Sequence, residues 1–300
     1  MSPFAGLSAF PLTPLHDDVV DERAFAGLVE RLAAADVDSI TALGSTGCAA
    51  YLSPIERARV ARLAVEHADR TPVFVGISAL RTSEVLLHAA NAERAGAAGL
   101  LLAPMTYQPL TSDDVFEMYQ TVTARSGLPV IVYDNPGTTH FAFSPELYGR
   151  IAELPGIASI KIPGVPREPD AARAHVAEIR ATIPDHVTIG VSGDAFGAAG
   201  LAAGCDAWYS VVAGTLPSPA ARITRSSQEG AFDAAAAESA RLAPLWELFA
   251  EFGGSLRVIA AVAEHLGLAP SRCLPLPIRG LDDEQRGRVA TVIEELSLGG

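Results

Sequence analysis

The chain has 300 residues, 49% of them hydrophobic and 19% charged, with a formal net charge of −13. That composition describes a globular protein with a sizeable core, and the acidic balance speaks against nucleic acid and anionic membrane surfaces as partners. Three scattered cysteines (Cys48, Cys205, Cys273) suit neither a disulfide framework nor a zinc site. No apolar run approaches a membrane span, and the N-terminus lacks the basic residues of a secretory signal, so a cytoplasmic location is expected.

Short apolar runs alternate with longer amphipathic stretches along the chain. Strands are predicted at Leu7–Phe10, Ser39–Ala42, Val73–Gly76, Gly99–Ala103, Pro129–Tyr133, Ala158–Ile162, Val187–Val191 and Ala207–Val211. They are rich in Val, Ile and Leu without strict alternation, as parallel strands buried on both faces are. Helices are predicted between them, at Glu22–Ala35, Pro54–His67, Ser83–Ala95, Ser112–Arg125, Pro145–Glu153, Asp170–Thr182, Ala195–Ala203 and Pro219–Gln228. Ser53, Pro54 and Glu56 form a start signal for the second of these. Eight strand–helix repeats predict a (β/α)8 TIM barrel over residues 1–228, with a doubly wound open sheet as the alternative. Residues 229–300 read as a C-terminal helical extension: Ala231–Phe252, Ser255–Leu266 and Asp282–Leu296, the last two separated by a Pro-rich turn at Cys273–Gly280.

In such a barrel the chemistry lies at the C-terminal ends of the strands. The second strand is followed by Gly44, Ser45, Thr46 and Gly47, a turn whose N–H groups and hydroxyls suit a carboxylate; a plain turn is the other reading. The fifth ends in Tyr133, a candidate proton relay or a packing aromatic. His140 follows in the same loop, with substrate contact and a solvated loop position both open. The sixth strand carries Lys161, the only lysine among 22 basic residues. A lysine walled by apolar groups is costly to charge, so its neutral amine becomes a nucleophile for a ketone, which arginine cannot supply. The alternative is a surface lysine spared by chance. Asp194, after the seventh strand, reads as the N-cap of the next helix. No histidine cluster has ligand spacing, and His16-Asp17-Asp18 reads as a solvated turn, so no metal is expected.

Gly-Ser-Thr-Gly after the second strand, Tyr133 with Pro136-Gly137 after the fifth, and Lys161 on the sixth together resemble the dihydrodipicolinate synthase / N-acetylneuraminate lyase family of class I, pyruvate-dependent aldolases. "AFPLTPL" near the N-terminus and "SGDAF…GCDAWYS" (Ser192–Ser210) are similar to family stretches as well. The resemblance implies an imine between Lys161 and pyruvate or another 2-oxo acid, proton transfer through Tyr133, and carboxylate binding at Ser45 and Thr46. Gly44, Gly47, Thr138, His140, Tyr107 and Tyr209 complete the expected substrate-binding set. It further implies an aldehyde as second substrate, no dissociable cofactor, and a homotetramer or homodimer in which a neighbouring tyrosine joins the relay.

Four departures bear on the substrate. Thr138 stands where dihydrodipicolinate synthases carry an arginine for the aldehyde's carboxylate, and a hydroxyl does not replace a bidentate guanidinium. Thr106, with Tyr107 one step on, stands where the neighbour-supplied tyrosine is usual. Cys48 replaces a glutamate, and Ile162-Pro163-Gly164 replace polar residues after the lysine. A less polar pocket is expected, suited to an aryl or aliphatic aldehyde, with aldol reaction or dehydration as the outcome. The alternatives are 4-hydroxy-tetrahydrodipicolinate synthase itself, acting on aspartate semialdehyde, and a catalytically retired barrel that binds a 2-oxo acid.

Overall fold

The computed structural model describes residues 2–299. Eight parallel strands run in chain order around a closed barrel: β1 (Gly6–Ala9), β2 (Ser39–Ala42), β3 (Val73–Gly76), β4 (Gly99–Leu102), β5 (Val130–Tyr133), β6 (Ile157–Ile162), β7 (Thr188–Val191) and β8 (Ala207–Ser210). β1 pairs with both β2 and β8, which closes the sheet and rules out the open alternative.

Side-chain direction alternates along each strand, and this decides which residues reach the site. On β5, Val130 and Val132 join the layer between sheet and helices, while Ile131 and Tyr133 point into the barrel. On β6, Ile160 and Ile162 point outward, which turns Ser159 and Lys161 inward. The barrel interior is filled by Phe4, Phe10, Phe74, Leu101, Ile131 and Tyr209. It is a packed core, open to chemistry only at its rim.

The intervening helices are α1 (Glu22–Ala34), α2 (Pro54–His67), α3 (Thr82–Ala95), α4 (Ser112–Thr123), α5 (Pro145–Ala152), α6 (Pro169–Thr182), α7 (Gly197–Ala202) and α8 (Pro217–Gln228). The expected start of α2 is present as a full capping box between Ser53 and Glu56, with Pro54 in the first turn. Four helices follow: α9 (Phe232–Arg241), α10 (Ala243–Glu251), α11 (Ser255–His265) and α12 (Asp283–Glu295). The predicted continuous helix Ala231–Phe252 is broken at Leu242, which ends α9 and starts α10. Pro244 accounts for the break, because it offers no N–H and its ring clashes with the preceding turn. The Pro-rich turn binds the tail to the barrel: Cys273 O accepts from the N–H of Leu15 at 2.9 Å. Leu15 belongs to a small antiparallel hairpin, Leu15–His16 with Val19–Val20, that sequence reading missed. Its turn holds Asp17 and Asp18 at positive φ. A short helical turn, Pro136–Thr139, was also unforeseen.

Candidate active site

A cavity of about 260 Å³ opens at the C-terminal ends of β2–β5. Its wall includes Gly44, Ser45, Ser78, Leu101, Tyr133 and Thr138. Two glycines are required by close approach. A Cβ on Gly76 would lie 1.9 Å from the carbonyl oxygen of Leu43, and one on Gly44 would lie 2.8 Å from the Phe10 ring. The β2 and β3 loops therefore touch backbone to backbone. Buried Arg57, from α2, donates to the carbonyls of Gly76 and Ser78 at 2.9 Å each, and Ser78 Oγ accepts from Ala103 N at 2.7 Å. One guanidinium thus ties α2 to the end of β3 and its loop, and Ser78 ties that loop to the one after β4. Burial, and then the charge of Arg57, push buried His88 down to about 4, so it is neutral there at pH 7.

Lys161 is 4% exposed and abuts the cavity through Tyr133. Its Nζ lies 4.0 Å from the centroid of the Tyr133 ring and 5.4 Å from that of Phe10. Register places it beside Tyr133 on one side and Gly190 on the other. Burial lowers its pKa to about 7, against the opposing pull of Asp194 and then Asp134. About half of the molecules then carry a neutral amine at pH 7, against roughly one in 3,000 for an unperturbed lysine. Burial raises the Tyr133 phenol, with the Ser45 contact opposing it. The phenol oxygen lies 3.4 Å from Ser45 Oγ and accepts from Asn135 Nδ2 at 2.9 Å. The first distance is long for a hydroxyl pair, and a substrate oxygen beside the two could bond to both. The N–H groups of Ser45 and Thr46 donate to no oxygen among the described residues, so the turn has free donors for an anion.

Of the ten residues singled out from the sequence, Gly44, Ser45, Tyr133 and Thr138 line the cavity and Lys161 adjoins it. Thr46 and Gly47 are buried in the turn and do not reach the wall. Three others lie elsewhere. Tyr209 is fully buried one layer down in the barrel, its hydroxyl 2.7 Å from Ser159 Oγ, so it packs beneath the site. His140 is exposed at a left-handed position that ends the Pro136–Thr139 turn. Tyr107 is 88% exposed and outside the cavity of its own chain. Thr106, one step earlier, does line the cavity.

Asp194 is a correction: it caps no helix. Its carboxylate reaches across to the end of β8, where Ser210 Oγ donates at 2.8 Å and the N–H groups of Val211 and Val212 at 3.1 Å each. Three tertiary donors outcompete the one or two that a local cap would offer. Burial raises Asp194 to about 6. Asn135, Asp134 and Tyr148 were also missed. Asp134 is buried and accepts from the Tyr148 hydroxyl at 2.5 Å. Cys48 lines the cavity, but burial pushes its thiol up to about 12, so it is no nucleophile at neutral pH.

A neutral lysine and a relayed phenol at a barrel rim are the parts of imine chemistry, and comparison with known proteins leads to the same place. The family model for the dihydrodipicolinate synthetase family matches residues 3–296. The chain is 34% identical over 233 residues to 4-hydroxy-tetrahydrodipicolinate synthase of Hyphomonas neptunium, covering 77% of this chain and 78% of that one. It is 29% identical over 297 residues to the protein of the same name from Syntrophobacter fumaroxidans, covering 98% and 99%. The crystal structure of dihydrodipicolinate synthase from Agrobacterium tumefaciens superposes with a TM-score of 0.94 at 44% identity, covering 98% of each chain. With its model matched over nearly the full length and its barrel shared, the chain belongs to the dihydrodipicolinate synthetase family of class I lyases.

Proposed function

We propose that Lys161 forms an imine with pyruvate or a related 2-oxo acid, and that this enzyme then makes or breaks a bond to the adjacent carbon with a weakly polar aldehyde as partner. The amine attacks the ketone carbon, water leaves, and one proton is taken up to give a cationic imine. Loss of a proton from the neighbouring carbon gives an enamine, whose carbon attacks the aldehyde; cleavage is the reverse, and loss of a leaving hydroxyl gives dehydration. Tyr133, linked to Ser45, carries the protons. Ser45 holds the carboxylate through its hydroxyl and free N–H group, with the free N–H of Thr46 one residue behind it in the same turn, and Gly44 leaves room for that turn against Phe10.

One observation carries the choice of aldehyde: among the described residues, no charged side chain lines the cavity. Thr138 occupies the wall, and Arg57 is engaged with backbone carbonyls behind it. A second carboxylate would enter without a partner, at a cost of several kcal/mol. The test is condensation of pyruvate with aspartate semialdehyde, benzaldehyde and short aliphatic aldehydes, followed by product mass. Reaction with the neutral aldehydes is expected; reaction with aspartate semialdehyde alone defeats the proposal. That outcome would favour the second reading, 4-hydroxy-tetrahydrodipicolinate synthase proper, which the names of the relatives support. Borohydride trapping of pyruvate separates both from a retired barrel, because Lys161 is the only lysine able to carry the adduct.

The quaternary structure is part of this proposal. Tyr51, Ile55, Leu80, Leu87 and Tyr107 are exposed large apolar residues on the β2–β4 sector, where a second copy would bury them. A homodimer or homotetramer would bring Tyr107 of one subunit to its neighbour's site. Sedimentation as a monomer at micromolar concentration would defeat this part. The barrel of residues 1–228 is the catalytic unit, residues 229–300 brace it, and the enzyme works in the cytoplasm.

A further inference from the structure

Two buried carboxylates, Asp134 and Asp194, follow the strands on either side of the Lys161 strand. Asp134 follows β5, and its N–H donates to the Lys161 carbonyl at 3.0 Å. Asp194 follows β7, and two residues before it Ser192 N donates to the Ile162 carbonyl at 3.0 Å. Both loops are therefore fastened to the end of the lysine strand. Neither carboxylate is paired with an arginine or histidine among the described residues. Asp134 takes a phenol, and Asp194 takes one hydroxyl and two backbone N–H groups. Tyr133 and Phe10 are the aromatic neighbours of the amine, and Tyr209 lies below with its hydroxyl on Ser159.

Imine formation changes the charge here. A neutral amine enters the reaction, and with the uptake of one proton and the loss of water it leaves as a cationic imine. A cation created in a site from which water is excluded needs a fixed counter-charge. We propose that Asp194 is that counter-charge: a positioning residue, held ionised by the end of β8, that stabilises positive charge on the Lys161 nitrogen without touching substrate. Asp134 is the lesser member of the pair, because it also neighbours Tyr133 and shares its charge with the Tyr148 phenol. This assignment rests on the imine reading above for its catalytic consequence. Its coupling to the lysine stands independently.

The single lysine permits a direct test. Chain labelled with 13Cε-lysine gives one side-chain resonance, whose shift with pH reports the protonation of Lys161. In Asp194→Asn the midpoint should fall by about one pH unit. Ser210→Ala keeps the aspartate but removes its 2.8 Å donor; it should move the midpoint the same way by less, and covers the case in which Asp194→Asn does not fold. At pH 8.5, where the free amine is neutral in every variant, half-saturating pyruvate for borohydride trapping should rise about tenfold in Asp194→Asn, the same shift read on the imine. A purely structural role would lower the unfolding midpoint and leave the lysine titration in place. Unmoved midpoints in folded variants overturn the assignment of Asp194. Midpoints that move in a chain forming no wild-type adduct overturn the imine reading instead.

Discussion

The cost of a reactive lysine should be visible as stability that depends on pH. Lys161 titrates near 7 in the folded chain and near its ordinary 10.5 when unfolded. Between those values the unfolded chain binds a proton that the folded chain does not. Wild-type stability therefore falls as pH falls from 10.5 to 7, by about 1.4 kcal/mol per pH unit, and is flat in this respect below 7. The full window amounts to about 5 kcal/mol. Lys161→Met removes the term and keeps an unbranched apolar side chain of similar length in the pocket. It also strips Asp194 of its partner, so the gain at pH 7 should be smaller, about 2–3 kcal/mol. Urea unfolding at pH 7.5, 8.5 and 9.5 isolates the lysine. Over those two units the wild type should gain about 3 kcal/mol on the variant. The buried thiols of Cys48, Cys205 and Cys273, all pushed up to about 12, lower stability as pH rises in both proteins and cancel in the difference. Parallel profiles would refute the reasoning, since they would mean a folded-state lysine that is charged throughout this range.

Three further perturbations address the wall and the relay. Tyr133→Phe should reduce kcat by about 10²-fold while KM changes less than fivefold, as expected when a proton carrier is lost from a bound complex; an equal rise in KM would assign the phenol to binding. Thr138→Arg places a guanidinium on an uncharged wall and should raise kcat/KM for aspartate semialdehyde at least tenfold over wild type, measured by coupled reduction of the product. Arg57→Met leaves the carbonyls of Gly76 and Ser78 without donors. Thermal and urea melts should show a loss of about 2–4 kcal/mol, and KM should rise as the β3 loop loosens.

Much of this molecule could be read from local pattern because a parallel barrel writes its strands as short apolar runs. The bounds of β2, β3 and α2 were read to the residue. Lys161 was conspicuous for a chemical reason: among arginines, a lone lysine in an apolar strand asks to be neutral. What escaped was whatever depended on strands far apart in sequence. Asp194 carries a sound local signal for a helix cap, yet its partners Ser210, Val211 and Val212 come from the next strand around the barrel. Tyr209 sits in a motif beside the site, but the inward period turns it into the barrel interior, where its hydroxyl meets Ser159 two residues below Lys161 on β6. Asn135 holds no special place in the sequence and acquires one only when β5 and the β2 loop meet, where its amide, already on the Tyr133 phenol, also reaches Ser45 Oγ at 3.4 Å. The reacting groups are thus visible one residue at a time. Their electrostatic setting is a property of barrel closure, and that setting decides whether an imine can form.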